Sequence, residues 1–418
     1  MRENDMKKIR TLAFVMAGGE GTRLHPLTGE RSKPAVPFGA RYQLVDFVLS
    51  NLSNSGIHSI YLLVQYKSQS LIEHIRQTWV LSPILPEQFV TVVPPQMRGR
   101  RQWFQGTADA VRQNLNLIEQ HEPELVAVFG ADHIYRMNIR QMIRFHRERE
   151  ADVTVAALPV PLEQASAFGV IAADKYGRIR EFQEKPDQPA HMPGDPEHAY
   201  ASMGNYLFKT DALMRILRET DDQGSTDFGR HLLPRMMRTD HMFAYNFAAN
   251  KVPGLKSYEE PAYWRDVGAI ESYYDAHRDV LGLKPRLDLF NPRWPIHSRG
   301  YEGPATRVIA GSIENSILAE GTVVNGASVK GSIIRREVFL DDGVELEDCI
   351  VMDHVRIKRG ARLRRTIVDR YNTIDARTSI GFDPEEDRRR FHVSPSGIVV
   401  VPAGSPGRHA RSFASGYV

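Results

Sequence analysis

Aliphatic residues recur six positions apart in the C-terminal part of the chain, from about residue 308 to residue 382. Small residues, Asn, Asp and Gly fill the intervening positions. This period is typical of a β-helix, in which each coil buries its aliphatic residues against the preceding coil. An irregular β-sandwich is the alternative that the regular spacing disfavours. The runs are Ile317, Val323, Val329; Val338, Val344, Ile350; Val351, Ile357, Leu363; and Val368, Ile374, Ile380.

Residues 9–283 follow a different pattern, in which apolar strand-like runs alternate with helical segments. This alternation predicts βαβ units, and hence a mainly parallel, Rossmann-like α/β sheet with helices on both faces. Ligands of such sheets bind beyond the carboxyl ends of the strands. The predicted strands include 60–64, 89–93, 125–129 and 153–158, and the predicted helices include 71–80 and 108–119.

The change of pattern defines the predicted domains. Residues 9–283 are predicted to form the first domain, and residues 284–306, rich in Pro and Arg, a linker. Residues 307–401 form the β-helix with a basic segment at its end, and residues 402–418 form a tail. Leu287, Leu289, Phe290 and Trp294 make the linker too apolar for a free coil, so we expect it to pack against a domain.

Composition narrows the classes of function. A net charge of +3 over 418 residues gives no bulk electrostatic support for binding nucleic acid or an anionic membrane. Cys349 is the only cysteine, which excludes an intramolecular disulfide and a multi-cysteine metal site. The N-terminus lacks an apolar core of signal length, and no run of eighteen apolar residues occurs. We therefore expect a cytoplasmic protein.

A glycine-rich segment follows the first apolar run, residues 11–16. Gly18, Gly19 and Gly21 allow backbone amides to approach a ligand closely, and Arg23 and Lys33 add positive charge. The segment therefore predicts a polyphosphate site. Its spacing is neither GxGxxG nor a Walker loop. A tight turn without a ligand is the alternative.

Two aspartates at strand ends indicate a metal site. Asp132 comes three residues after the apolar run at residues 126–129. Asp266 comes two residues after Trp264 and precedes a turn with Gly268 and a helical run from residue 270. A carboxylate at a buried strand end needs a positive partner, and Mg²⁺ prefers such oxygen ligands. Asp132 could instead cap a helix. We give His133 no catalytic role, because packing beside the site accounts for it.

Two further residues are candidates for binding anions. Pro186 is expected to hold Lys185 in an extended conformation, which would present its ammonium to one phosphate. A solvated lysine on a hairpin is the alternative. Thr107 is expected to cap a helix that begins at Ala108, whose N-terminus would then favour anions. Plain capping also accounts for Thr107.

Seven motifs give the chain a family resemblance from Ile9 to about Val401. They are GGEGTRL, SKPAVPFGARYQLVDFVLSN, WFQGTADA, GADHIY, SAFGV with EKP, ASMGNY and YWRDVG. Together they resemble the glucose-1-phosphate adenylyltransferase branch of the sugar-nucleotide pyrophosphorylases. The resemblance implies a left-handed β-helix, and a homotetramer that makes ADP-glucose and pyrophosphate from ATP and α-D-glucose 1-phosphate with Mg²⁺. This reaction is the allosterically regulated first step of glycogen biosynthesis.

The resemblance also implies site residues. Arg23, Lys33 and Asp132 would be catalytic, and Asp132 and Asp266 would hold the metal. Phe104 stands where relatives often have tyrosine, so a hydroxyl contact is lost or replaced there. The ATP site would comprise Ala17, Gly18, Gly19, Gly21, Thr22, Arg23, Trp103, Gln105 and Gly106. The glucose-1-phosphate site would comprise Phe104, Gly169, Glu184, Lys185 and Ser202.

Allosteric effectors would bind between the two domains. Arg31, Lys33, Arg389 and Arg390 match the effector-binding residues of relatives. Glu30, Pro37 and Gln43 stand where relatives activated by fructose 1,6-bisphosphate have basic residues. We therefore expect a sugar phosphate, pyruvate, AMP or phosphate as effector, and not that bisphosphate as the best activator.

Three alternative functions remain open. A pyrophosphorylase for another base or sugar should lack the WFQGTADA and SAFGV context. A non-catalytic regulatory subunit should lose active-site charges, whereas Asp132, Lys185 and Asp266 are present. An additional acyltransferase activity on the β-helix would need a catalytic histidine, and His354 within the period is expected to be only an exposed residue.

Overall fold

The computed structural model describes residues 9–82, 84–96, 103–220, 224 and 226–405. Residues 1–8 and residues 406–418 of the predicted tail lie outside the described residues, as do Arg101 and Gln102 before the WFQGTADA motif.

The N-terminal part contains a large sheet and its surrounding helices. Its strands are β1 (Thr11–Ala17), β2 (Pro37–Phe38), β3 (Tyr42–Gln43), β4 (Ser59–Val64), β5 (Phe89–Val93), β6 (Leu125–Gly130), β7 (His133–Tyr135), β8 (Val153–Pro161), β9 (Gly169–Ala173), β10 (Ile179–Glu184), β11 (His198–Lys209), β12 (Met242–Asn246) and β13 (Trp264–Asp266). Its helices are α1 (Leu44–Asn54), α2 (Gln69–Thr78), α3 (Thr107–Arg112), α4 (Leu115–His121), α5 (Ile139–Glu148), α6 (Leu162–Ala165), α7 (Thr210–Glu219), α8 (Leu233–Met236) and α9 (Ile270–Arg278).

The large sheet has the order β10-β9-β11-β6-β1-β4-β5, and β8 pairs with both β11 and β12. The predicted parallel arrangement is confirmed for β6, β1, β4 and β5. In the other half, β11 runs opposite to β6, β8 and β9, and β10 runs opposite to β9, whereas β12 pairs with β8 in parallel. A tight turn explains the β9–β10 hairpin, because the Asp174 side chain accepts hydrogen bonds from the amides of Tyr176 and Arg178.

Both faces of the sheet are buried. In β1, Ala13 and Val15 belong to the apolar cluster on one face, and Leu12 and Phe14 belong to the cluster on the other. This explains why the strand is apolar at consecutive positions instead of alternating. Helices on both faces were predicted and are confirmed.

The single helix predicted over residues 108–119 is wrong, because the chain forms α3 and α4 there. The break falls at Gln113 and Asn114. Asn114 has φ −120° and ψ 25°, outside the helical range, and its side-chain amide donates to the carbonyl of Ala110. An asparagine that hydrogen-bonds its own preceding turn competes with helix continuation.

The C-terminal part forms a parallel β-helix, and one helix precedes its last two strands. Interior residues of successive coils are aligned, as in the rows Val324, Leu340, Ile357, Ile374 and Val329, Leu346, Leu363, Ile380. The predicted coils are therefore confirmed. The elements are β14 (Arg307–Glu314), β15 (Ile317–Leu318), β16 (Val323–Lys330), β17 (Ile333–Ile334), β18 (Phe339–Leu340), β19 (Glu345–Glu347), β20 (Ile350–Val351), β21 (Arg356–Ile357), β22 (Arg362–Arg364), β23 (Thr366–Val368), β24 (Thr373–Ile374), β25 (Ser379–Ile380), α10 (Pro384–Arg390), β26 (His392–Val393) and β27 (Val399–Val401).

One apolar cluster joins the two parts. It contains Leu24, Phe38 and Tyr273 from the first part and Ile350 and Ile367 from the β-helix. Polar contacts reinforce it, because the Arg335 guanidinium donates to the carbonyls of Gly39 and Tyr42, each at 3.0 Å. The β-helix is therefore packed against the segment that follows the glycine-rich loop.

The linker is packed as predicted at Leu287 and Trp294, which are 2% and 5% exposed. Phe290 is 77% exposed, so it does not contribute to this packing. Within the described part of the chain, no helix has both the length and the apolar character needed for a membrane span.

Candidate active site

The glycine-rich loop lies at the carboxyl end of β1 and forms one wall of a cleft of about 200 Å³. Gly21 has φ +66°, and a Cβ on it would lie 3.0 Å from the Cβ of Lys33. Both the conformation and the space therefore favour glycine here. The cleft is lined by Met16, Ala17, Gly19, Gly21, Thr22, Arg23, Lys33, Pro34, Asp132 and Gly268.

Lys33 lies between the two predicted metal ligands. Its Nζ is 2.8 Å from Oδ2 of Asp132 and 3.1 Å from Oδ1 of Asp266. The two aspartates are distant in sequence, and antiparallel pairing of β7 with β13 brings them together, since Asp266 is aligned with His133. The predicted convergence of Asp132 and Asp266 is therefore present.

Opposite charges control ionisation in this cluster. Burial opposes the charged form of Asp132, but the positive charges of His133 and Lys33 outweigh burial and lower its pKa to about 2. Burial also opposes the charge of Lys33, yet Asp132 and Asp266 raise its pKa above the usual value. At neutral pH the cluster thus holds ionised Asp132 against a protonated lysine.

Asp132, His133 and Asp266 form a group that could hold a cation. Ligand atoms from the three residues all lie within 4.8 Å of one another. The two carboxylates provide the hard oxygen atoms that divalent cations such as Mg²⁺ and Mn²⁺ accept. His133 also packs against Trp264, with ring centroids 4.8 Å apart, as expected for a packing residue. Asp132 precedes a strand and not a helix, so the N-cap alternative does not apply.

Arg23 approaches this cluster from the loop. A Cβ on Gly268 would lie 3.0 Å from Nη2 of Arg23 and 3.2 Å from Oδ1 of Asp266. Gly268 therefore leaves room for the guanidinium beside the second aspartate. The side chain of Arg23 is exposed and lines the cleft, where it can reach an anionic ligand.

Three of the four predicted sugar-phosphate residues of the β9–β11 region lie on neighbouring strands, and Lys185 directly follows β10. Gly169 begins β9 and is aligned with Glu184, the last residue of β10, while Ser202 lies in β11. Ring contacts connect this region to the aspartates, because Phe168 packs on Trp264 at 5.8 Å and Trp264 packs on His133.

The extended conformation predicted for Lys185 is wrong, because its φ is +48°. Its amide donates to the carbonyl of Phe168 at the end of the β9–β10 hairpin, and this turn sets the backbone. The ammonium is exposed at the mouth of the hairpin.

The Trp103–Gly106 segment is hydrogen-bonded to Gln65, which lies beside the glycine-rich loop. The Gln65 side chain accepts from the amide of Phe104 at 2.6 Å and donates to its carbonyl at 3.3 Å. Gln65 also lies next to Gly18, whose added Cβ would be 3.5 Å from that of Gln65. Trp103 is 53% exposed and parallel to Tyr66, with centroids 6.2 Å apart and planes 6° apart.

The predicted helix cap at Thr107 is wrong. Gly106 occupies the N-cap position of α3, and Thr107 is the first helical residue. The Thr107 hydroxyl instead donates to Asp227 and accepts from the amide of Phe228. Gly106 is required by close packing, because a Cβ on it would lie 2.4 Å from the carbonyl oxygen of Thr226. The Gln105 side chain donates to the carbonyl of Trp103.

A second cavity, of about 430 Å³, lies between the loop after Arg23 and the end of the β-helix. Arg389 and Arg390, two of the predicted effector residues, line it together with Glu30 and Asp369. Arg31 does not line the cavity, because it is 2% exposed and its Nη2 contacts Asp369 at 2.5 Å. Lys33 lies in the first cleft.

Sequence reasoning missed Gln65, Tyr66 and Lys67, which follow β4. The Lys67 ammonium donates to the carbonyls of Thr28 and Gly29 and so supports the glycine-rich loop. The sequence could have indicated these three residues, because they follow a predicted strand, β4, and ligands bind at the carboxyl ends of parallel strands.

The fold and this cleft define an enzyme that transfers nucleotidyl groups. Residues 12–282 match the family described as nucleotidyl transferase, and residues 304–401 match the GlmU-like C-terminal hexapeptide family. The second match identifies the parallel coils as a left-handed β-helix.

Three similar proteins are all named glucose-1-phosphate adenylyltransferase. The protein of Thermodesulfovibrio yellowstonii is 55% identical over 94% of this chain and 96% of its own length. Those of an Anaeromyxobacter species and of Thermus thermophilus are 48% and 44% identical, over 94% and 96% of this chain and 98% and 99% of their own lengths. The chain belongs to the glucose-1-phosphate adenylyltransferase family.

Proposed function

We propose that this protein transfers the adenylyl group of ATP to α-D-glucose 1-phosphate, which yields ADP-glucose and pyrophosphate. This would be the first step of glycogen synthesis, in the cytoplasm. The observation that carries the proposal is the position of Lys33, held between Asp132 and Asp266 at the base of the glycine-rich loop.

Mg²⁺ is the proposed cofactor, with Asp132 and Asp266 as its protein ligands. When bound, it would neutralise charge on the nucleotide phosphates. The fit is supported by the two carboxylates, which share one cation, Lys33, and are each 33% exposed. Lys33 contacts Oδ2 of Asp132 and Oδ1 of Asp266, and with both carboxylates holding the metal its ammonium would be available to the phosphates.

The residues of the chain would act mainly by positioning and by neutralising charge. Arg23 and Lys33 would bind the departing pyrophosphate. Backbone amides of Gly19, Gly21 and Thr22 would contact the other phosphate oxygens. No general base is needed, since the attacking phosphate oxygen is already anionic at neutral pH.

The two substrates would occupy opposite sides of the aspartates. The adenine would lie against the exposed ring of Trp103, with Gln105 and Gly106 next to it. The sugar phosphate would lie at the β9–β11 edge, where Lys185 would bind the phosphate and Glu184 and Ser202 the sugar hydroxyls. Phe104 would contribute apolar surface only.

The second cavity is the proposed effector site. Arg389 and Arg390 would bind a small anion such as a sugar phosphate, pyruvate, AMP or inorganic phosphate. Glu30 lines the same cavity, so its carboxylate would favour a compact monoanionic or dianionic ligand over a bisphosphate. We also propose that four copies of this chain associate into a homotetramer.

The test is pyrophosphate release from the purified full-length chain with glucose 1-phosphate and Mg²⁺. We expect ATP to be used at least about tenfold more efficiently than UTP, GTP or dTTP. Preference for another nucleotide would assign the protein to a different pyrophosphorylase. Release with none of the four, with and without effectors, would support a regulatory subunit.

A further inference from the structure

Asn205 is a fully buried polar residue of β11, 0% exposed, and lies behind the active-site cleft. Both polar atoms of its side chain are in use. Oδ1 accepts a hydrogen bond from the amide of Gly130 at 3.3 Å, and Nδ2 donates to the hydroxyl of Tyr135 at 3.1 Å. A buried amide side chain is costly unless it is paired. The two partners therefore indicate what Asn205 does.

These two partners flank the predicted metal ligand Asp132. Gly130 is the last residue of β6 and Tyr135 is the last residue of β7, and Asp132 lies in the turn between them. A Cβ on Gly130 would lie 3.4 Å from Oδ1 of Asp132 and 3.3 Å from the ring of His133. Asn205 thus holds both ends of the turn that carries the carboxylate.

β11 leaves the regular sheet at this point. Its pairing with β6 runs from Lys209 to Tyr206, and its register against β8 shifts between Ser202 and Tyr206. Gly204, within the shifted segment, has φ +68°. The segment around Asn205 is therefore a bulge, a feature that often re-aims a side chain beside an active site.

The side chain of Asn205 replaces a main-chain acceptor of β11. The amide of Ala131 donates to the carbonyl of Met16 in β1 at 3.2 Å. Successive amides of a strand point to opposite sides, so the amide of Gly130 points towards β11. In a regular ladder a carbonyl of β11 would accept from it, whereas here Oδ1 of Asn205 does.

The main chain of β7 is fixed independently, from α1. Nδ2 of Asn51 donates to the carbonyl of Tyr135 at 3.1 Å, and Oδ1 of Asn51 accepts from the amide of Met137 at 2.9 Å. Because α1 already fixes the end of β7, the contacts of Asn205 determine how the end of β6 lies relative to it. Asp132 is between these two ends.

We propose that Asn205 is a positioning residue for the metal site. It fixes the turn from Gly130 to Tyr135, so that the carboxylate of Asp132 faces the same cation as the carboxylate of Asp266. Asn205 acts through the amide and the hydroxyl that it binds, and not by contact with a substrate. The inference rests on the proposed function of this cleft.

The first test is amide hydrogen exchange of the metal-free full chain, measured by mass spectrometry. We expect N205A to speed exchange of the Gly130 amide, in a peptide of residues 129–136, about tenfold or more because its acceptor is lost. A peptide that covers β1 should exchange as in the wild type. The matched control N114A removes another buried asparagine, which is 2% exposed and bonded to the carbonyl of Ala110. It should leave exchange in residues 129–136 unchanged.

The second test is the binding of Mn²⁺ alone, followed by the electron paramagnetic resonance of the free ion. We expect the dissociation constant to rise about tenfold in N205A, because a metal ligand loses the group that orients it. In turnover assays kcat should fall about tenfold or more, while KM for ATP and for glucose 1-phosphate stays within about threefold. N114A should keep the Mn²⁺ affinity and kcat of the wild type.

Two further variants separate the contacts of Asn205 from its volume. N205D keeps both contacts in either protonation state, since one oxygen can accept from Gly130 and the other can share a proton with the Tyr135 hydroxyl. It should bind Mn²⁺ within about threefold of the wild type or more tightly. Y135F removes only the hydroxyl. N205A/Y135F should bind Mn²⁺ no more weakly than N205A, because the contact is already lost.

Unchanged exchange in residues 129–136 of N205A would overturn the inference, as would an N205D variant impaired as much as N205A. An Mn²⁺ affinity of N205A within about threefold of the wild type would also overturn it. If D132N binds Mn²⁺ weakly in the same experiment, the metal site stands and only the role of Asn205 fails.

Failure of the proposed function has a different result. A chain that releases no pyrophosphate with any nucleotide contradicts that function, whereas exchange and Mn²⁺ binding still decide the role of Asn205. A wild type that binds no Mn²⁺ would overturn both the metal site and the inference.

Discussion

Arg31 and Lys33 are separated by one residue, yet their side chains pair with carboxylates in different parts of the molecule. Arg31 Nη2 lies 2.5 Å from Asp369 in the β-helix, and Lys33 Nζ lies 2.8 Å from Asp132 in the active-site cleft. The segment between them therefore joins the β-helix to the site of the proposed chemistry.

Removal of one member of the buried Arg31–Asp369 pair should be strongly destabilising. Both side chains are 2% exposed or less, so R31M leaves an unpaired buried carboxylate. We expect a loss of about 3 kcal/mol or more in the free energy of unfolding, measured with urea. R31M/D369L should recover much of this loss. The control R359M, which removes a pair with Asp342 on the surface, should change stability by less than about 1 kcal/mol.

Trp103 should act in nucleotide binding and not in the chemical step. W103A removes an exposed ring that lies parallel to Tyr66 near the glycine-rich loop. Stacking with a base contributes on the order of 1–3 kcal/mol, so KM for ATP should rise about tenfold while kcat changes little. Y176A removes another exposed aromatic residue, on the β9–β10 turn, and should leave KM as it is. An unchanged KM in W103A would show that Trp103 does not bind the nucleotide.

The charges around the second cavity should decide which effector acts. R389A should raise the half-saturating concentration of the best activator about tenfold or more, because a charge-assisted hydrogen bond is lost. E30K should improve the response to fructose 1,6-bisphosphate relative to fructose 6-phosphate. Activation assays of both variants measure the half-saturating concentration of each effector. The control R293A should respond as the wild type does. A wild type activated best by the bisphosphate would contradict the account.

His277 should make stability depend on pH. Burial, helped by the positive charge of Arg335, lowers the pKa of His277 to about 3. The hydrogen bond to Tyr273 acts in the opposite direction. The amide of Gly39 donates to Nε2, so Nδ1 carries the proton and donates to the carbonyl of Tyr273. The unfolded chain binds a proton near pH 6.5 and the folded chain does not, so stability falls as the pH decreases from 6.5 towards 3.

Between pH 7 and pH 5, His277 should lower the free energy of unfolding by about 2 kcal/mol. Urea unfolding of H277Q should show a pH dependence weaker by that amount. H191Q, at an exposed histidine, should keep the pH dependence of the wild type. Equal pH dependence of H277Q and the wild type would show that His277 is not the responsible group.

The sequence predicted those features that depend on local pattern. The parallel strands β1, β4, β5 and β6, the aliphatic rows of the β-helix and the turn after β1 are each encoded in short stretches. The convergence of Asp132 and Asp266 did not follow from spacing, because the two residues are distant in sequence; the resemblance of GADHIY and YWRDVG to the two aspartate motifs of the family implied it.

Other features could not be predicted because they depend on distant partners. The burial of Arg31 is decided by Asp369, and the hydroxyl of Thr107 is taken by Asp227 and Phe228 instead of the helix end. The backbone of Lys185 follows from a hydrogen bond to Phe168, which overrides the usual preference before proline. Only the assembled fold brings these groups together.

The most direct test of the central claim is the turnover of D132N and D266N. Each substitution keeps the shape of the side chain and removes one of the two charges that face Lys33. We predict that each lowers kcat for pyrophosphate release about a thousandfold or more and weakens Mg²⁺ binding measured by calorimetry, with the fold retained. D174N, on the β9–β10 turn, should keep full activity. If either D132N or D266N stays within about tenfold of the wild type, the two aspartates do not form the catalytic metal site.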